Sequence, residues 1–218
     1  MIFVNFKTYP QGTGQAALNL VRILEGVSAS EEIKIIPVLQ AADIKEAVGS
    51  SKLEIWVQNI SSFESGAHTG SVLAEAVVED GAAGTFLNHS ENKTDFNALS
   101  KARDRARAVG LKTLIFAANL DELKQILGLK PDFVSYEPPE LVGSQTTSVA
   151  EARPEVISQA VEISRTAGLP LIVGAGIKSA ADVRKSIELG ASGVAVASDI
   201  VIAQDPRQEL LDLIEGFK

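Results

Sequence analysis

Tyr136-Glu137-Pro138-Pro139-Glu140-Leu141-Val142-Gly143 closes the apolar run Phe133 to Tyr136 with a carboxylate and two prolines. Proline has no N–H and a fixed φ, so a hydrogen-bonded strand cannot continue past Glu137. The stretch therefore predicts a buried strand with Glu137 at its mouth, then a stiff hinge and a Gly/Ser/Thr-rich loop. That is a good position for a general base under a movable lid. The plainer alternative is a strand-end glutamate that faces solvent. What weighs against it is that similar strand ends recur along the chain.

Short apolar runs alternate with amphipathic stretches throughout. Strands are predicted at about 2–6, 33–37, 54–58, 84–87, 112–116, 132–136, 170–173 and 193–196. Helices are predicted at about 14–26, 40–48, 71–79, 95–109, 119–127, 153–167, 179–189 and 206–216. Asp95 and Ser179 are suited to cap two of these helices, and Pro154 and Pro206 to open two others. Asp121-Glu122 places negative charge in a first helical turn. The strand runs, such as Leu171-Ile172-Val173, do not alternate with polar residues, as expected for parallel strands covered on both faces. Eight βα units predict an α/β fold, a (β/α)8 barrel over residues 1–218 as a single domain. A doubly wound open sheet has the same alternation, because periodicity does not reveal closure.

Composition narrows the function. The 218 residues are 45% hydrophobic, enough for a sizeable core. A net charge of −8 argues against a nucleic-acid or acidic-membrane binder. The chain has no cysteine, which excludes disulfides, cysteine-based zinc sites and a cysteine nucleophile. No H-x-x-x-H or related ligand spacing is present, so no metal is expected. Residues 2–7 are too short and polar for a signal peptide, and no apolar stretch approaches the length of a membrane span. A cytoplasmic protein is the expectation.

In a parallel barrel, chemistry gathers at the C-terminal strand ends. The first strand ends in Asn5-Phe6-Lys7, and Lys7 offers a fixed positive charge. The fourth ends in Asn88-His89-Ser90-Glu91. If a helix starts there, the macrodipole favours neutral imidazole at His89, able to donate a hydrogen bond to a carbonyl. A merely structural capping histidine fits the local sequence equally well. Glu91 is placed to pair with Lys7 across the barrel, or to sit in solvent. After the seventh and eighth strands, Gly174-Ala175-Gly176 and Ala197-Ser198 read as backbone nests for phosphate. Gly174-x-Gly176 lacks the third glycine and the early βαβ unit of a dinucleotide site.

Taken together, Val4-Asn5-Phe6-Lys7-Thr8-Tyr9, Gln58-Asn59, Gly66-Ala67-His68-Thr69-Gly70-Ser71, Asn88-His89-Ser90-Glu91, Tyr136–Gly143, Gly174–Ile177 and Val196-Ala197-Ser198 resemble the triosephosphate isomerase family, in its short archaeal form. The motifs come in the family's order and span essentially the whole chain. The family is a standard example of a glutamate base working with a neutral histidine. The resemblance implies interconversion of dihydroxyacetone phosphate and glyceraldehyde 3-phosphate without a cofactor. It implies Glu137 as base, His89 as electrophile, and Lys7 and Asn5 as charge-offsetting and orienting groups supported by Glu91. Asn5, Phe6, Lys7, Val142, Gly176, Ala197 and Ser198 would hold substrate. It also implies a homodimer or homotetramer docked through loop 61–71.

The chain departs from the family at the lid tip, Gly143-Ser144-Gln145-Thr146-Thr147-Ser148-Val149, which is one residue longer and lacks a second glycine. Asn92-Lys93 stands where arginine is common. Another phosphosugar isomerase or lyase, or a non-catalytic barrel scaffold, is the alternative.

Overall fold

The computed structural model describes residues 1–138, 153–174 and 176–218. Its strands are β1 Ile2–Asn5, β2 Ile35–Leu39, β3 Trp56–Val57, β4 Gly84–Leu87, β5 Lys112–Ala117, β6 Phe133–Tyr136, β7 Leu171–Val173 and β8 Gly193–Val196. Each pairs in parallel with the next, and β8 pairs with β1. The sheet is therefore a closed barrel, and the open doubly wound alternative is excluded.

Helices among the described residues are α1 Gly14–Glu31, α2 Ile44–Ser50, α3 Ala74–Glu79, α4 Phe96–Ala108, α5 Leu120–Leu127, α6 Pro154–Thr166, α7 Ala180–Glu188, α8 Ser198–Val201 and α9 Pro206–Ile214. The expected caps are in place. Asp95 accepts from Ala98 N–H, and Ser179 forms a capping box with Asp182. Pro154 and Pro206 occupy first turns.

The strands carry uninterrupted apolar residues because both their faces are covered. Odd and even positions enter different cores. In β1, Ile2 and Val4 pack outward against the helices, while Phe3 points into the barrel. The interior cluster joins Phe3, Trp56, Phe86 and Phe116, with Phe3–Trp56 centroids 5.1 Å apart and Phe86–Phe116 4.8 Å apart. Edge-to-face aromatic packing of this kind adds to the area term.

Three of the boundaries that differ from the sequence reading have a visible cause. α1 runs to Glu31 rather than 26, since Gly26 sits in open space within the helix and buried Val27 extends its apolar face. β2 consequently begins at Ile35, after Glu32 reverses the chain at φ 53. α3 begins at Ala74, because Ser61 N–H bonds to Val72 O and holds residue 72 in the preceding loop. The short helix α8 was not anticipated.

Candidate active site

β1 delivers Asn5 and Lys7 to the C-terminal mouth of the barrel. Lys7 has a left-handed backbone, φ 47, which is costly for a side-chain-bearing residue. It is held there by its own N–H donating to Asn5 Oδ1 at 3.0 Å, and by Gln58 Nε2 donating to its carbonyl at 2.8 Å. The Lys7 ammonium then reaches Glu91 Oε1 at 2.7 Å.

β4 delivers His89. No helix starts there, so the condition set by the sequence is not met; residues 89–92 form a single turn closed by Asn92 N–H to His89 O at 2.8 Å. The macrodipole argument for His89 therefore falls. A different device fixes the ring. Glu91 N–H donates to His89 Nδ1 at 3.2 Å, so Nδ1 is an acceptor and the proton of the neutral ring belongs on Nε2. The ring also packs edge-on to Phe116 at 4.8 Å.

The turn is anchored from below. Asn88, at φ 60, donates to Phe116 O at 2.9 Å and to Glu122 Oε1 at 2.7 Å, and accepts from Thr94 N–H. Burial opposes charge on Glu122. Hydrogen bonds from Lys93, Ala118 N–H and Asn88 outweigh it and hold the carboxyl below its ordinary value. Glu122 thus spends its charge on the His89 turn rather than only on its own helix.

β6 delivers Glu137, which is 7% exposed and has its N–H bonded to Ala117 O at 2.9 Å. Its Oε2 accepts from Ser90 Oγ at 3.0 Å and lies 3.4 Å from His89 Nε2. Glu137, His89 and Lys7 thus converge on one cleft, which Asn5, Gly176, Ala197 and Ser198 also line. At its far end, α8 presents its N-terminus after β8, the usual barrel arrangement for phosphate. Asp199 and Lys178 lie beside it. Burial raises the Asp199 carboxyl above its ordinary value, while Lys178 pulls it down.

A family model described as triosephosphate isomerase matches residues 1–216. The chain belongs to the triosephosphate isomerase family. It is 37% identical to the triosephosphate isomerase of Methanobacterium bryantii over 216 residues, 98% of this chain and 95% of that protein. Against that of Metallosphaera sedula it is 38% identical over 217 residues, 99% of this chain and 95% of the other.

Of the residues that the sequence singled out, Asn5, Lys7, His89, Glu137, Gly176, Ala197 and Ser198 line the cleft, with Glu91 at its rim on Lys7. Phe6 does not. Its side chain is fully buried in the outer core, one step out of phase with Asn5 and Lys7, and its N–H bonds to Val38 O. Val142 and the lid tip lie outside the described residues. Sequence reasoning passed over Ser90 and Gln58, although both stand inside motifs it had already quoted. No group of three or more His, Asp or Glu among the described residues is arranged to hold a metal ion. No described helix is long and apolar enough to cross a membrane.

Proposed function

We propose that this chain interconverts dihydroxyacetone phosphate and D-glyceraldehyde 3-phosphate, as an aldose–ketose isomerase of glycolysis and gluconeogenesis. Family membership over the whole chain supports the reaction, and the approach of Glu137, His89 and Lys7 to one cleft is the observation that carries it. Nothing favours another phosphosugar reaction or an inert scaffold.

Glu137 removes a proton from the carbon beside the carbonyl. The released electron pair forms the carbon–carbon double bond of an enediolate, and charge moves to the carbonyl oxygen. The Nε2–H of His89 and the ammonium of Lys7 face that oxygen. Glu137 then returns the proton to the neighbouring carbon, while the hydroxyl proton on that carbon passes by way of His89 Nε2 to the former carbonyl oxygen, leaving a carbonyl where the hydroxyl was. Both Glu137 and His89 exchange their mutual 3.4 Å contact for contacts to substrate. Asn5 orients, and backbone groups at Gly176, Ala197, Ser198 and Val142 take the phosphate. No cofactor takes part. Exclusion of water from the cleft protects the intermediate from losing phosphate.

The working unit is one domain, 1–218, in a cytoplasmic homodimer or homotetramer joined through loop 61–71. That loop carries Phe63, 47% exposed and stacked on His68 at 4.3 Å, an apolar tip suited to a neighbouring subunit. Light scattering tests this; a monomer rejects it.

The deciding experiment is isomerase turnover of glyceraldehyde 3-phosphate by wild type, Glu137→Asp and Glu137→Gln. Fast wild-type turnover that drops by roughly 10²–10⁴-fold in the variants supports both reaction and base. Absent wild-type turnover rejects the reaction.

A further inference from the structure

Opposite the catalytic mouth, the N-terminal end of the barrel holds a second cavity of about 380 Å³. Its wall is made by Arg103 and Arg107 of α4, Lys112 at the start of β5, Lys130 after α5, and Asp132 before β6. Four cationic side chains thus face one carboxylate, in a chain whose net charge is −8. The full length of β5 separates this cavity from His89 and Glu137.

The local charge is only partly neutralised from within. Arg107 and Lys130 pair with no described residue. Arg103, with its side chain only 15% exposed, pairs through one terminal nitrogen with its own neighbour Asp104, and its Nε is buried with no hydrogen-bond partner. Asp132 is committed to Thr113, whose N–H it accepts at 2.8 Å. Only Lys112 has a strong internal partner, Glu54 at 3.0 Å. Converging cations repel one another, and a buried unsatisfied guanidinium donor is costly. A bound anion relieves the repulsion.

We propose that this cavity is a second ligand site, taking a small phosphoryl dianion, either free phosphate or a phosphate monoester. Two guanidinium groups supply paired donors matched to phosphoryl oxygens, and the lysines supply point charge. Positive charge confined to one cavity of an anionic protein also selects against cations and large polyanions.

The site carries its own reporter. Trp56 is the single tryptophan, and its Nε1 donates to Glu54 Oε1 at 2.9 Å, on the same carboxylate that holds Lys112. An anion that draws Lys112 toward the cavity changes the hydrogen bond at the indole. The test follows the Trp56 indole N–H resonance of ¹⁵N-labelled protein during titration with inorganic phosphate, and separately with glycerol phosphate, at constant ionic strength. Wild type, Lys7→Met and the double variant Arg107→Gln/Lys130→Gln are compared. Both substituted cations of the double variant are on the surface, so it keeps the fold.

The expected result is a saturable shift in wild type and in Lys7→Met, weakened about tenfold or more in the double variant. Tighter binding of glycerol phosphate identifies a monoester as ligand, and tighter or equal binding of phosphate identifies the free ion. No shift in wild type, or an undiminished shift in the double variant, overturns the proposal. A shift lost only in Lys7→Met also overturns it and assigns the signal to the catalytic cleft. The proposed isomerase reaction stands or falls separately, on the Glu137 variants.

Discussion

Ser90 donates its hydroxyl to the same oxygen of Glu137, Oε2, that His89 Nε2 faces. The candidate base is therefore held by two groups from a single turn. Removing the hydroxyl leaves a nine-tenths buried carboxylate with one donor fewer, and hydrogen bonds to charged groups are worth about 1.5–3 kcal/mol. Ser90→Ala is expected to lower kcat/KM by about tenfold, with Ser90→Thr restoring part of it. Steady-state kinetics on folded variants checks this; an unchanged kcat/KM would show that the hydroxyl does not seat the base.

Glu91 acts twice, and by different atoms. Its carboxylate holds Lys7, and its backbone N–H fixes His89. Glu91→Gln removes only the first action. Because the Glu91 side chain is 53% exposed, the pair adds well under about 1 kcal/mol to stability. The expected outcome is an unchanged melting temperature with a raised KM, from a Lys7 that is no longer pinned. A lowered kcat at unchanged KM would instead mean that the histidine had been disturbed.

Glu54 makes stability depend on acid. Burial alone would raise its carboxyl, but hydrogen bonds from Lys34, Trp56 and Lys112 push it down to about 2, from an ordinary 4.5. A carboxylate lowered on folding contributes stability that is complete above the unfolded value and is lost as pH falls toward the folded one. Denaturant midpoints of wild type should therefore decline between about pH 4.5 and 2. Glu54→Gln should flatten that decline and lower the midpoint at pH 7. Parallel acid limbs in the two proteins would assign the effect to other carboxylates.

Gly84 touches the indole. A Cβ built there would lie 2.3 Å from Trp56 Cε2 and 2.4 Å from Cδ2. Neither the ring nor β4 can yield, because Trp56 is fully buried among Phe3, Phe86 and Phe133. Gly84→Ala is expected to cost roughly 3 kcal/mol or more and to shift Trp56 fluorescence. An unaltered denaturant midpoint would mean that the floor of the barrel repacks freely.

The strand order and the residues at strand ends were legible because parallel strands covered on both faces leave continuous apolar runs with an abrupt stop. Glu137, His89 and Lys7 each stand within two residues of the end of such a run. Closure was not legible, since the pairing of β8 with β1 joins strands far apart in sequence and leaves no local mark. Ser90 and Gln58 were overlooked for the same kind of reason. Their bonds to Glu137 and Lys7 span 47 and 51 residues of sequence. The condition of a helix start at His89 was not met for local reasons, because Asn88 Oδ1 and the His89 ring accept the backbone N–H groups of Thr94 and Glu91 and compete with a helical start. Phe6 stands one step out of phase with Asn5 and Lys7, so its side chain faces the outer core.

The pairing of Ile2–Val4 with Val194–Val196 has a temporal consequence. Lys7 leaves the first strand and Ser198 leaves the last, so the cleft is assembled only when these two strands meet. A nascent chain stays catalytically silent until residues near 198 have emerged from the ribosome. In a refolding experiment, the first appearance of product becomes a clock for ring closure.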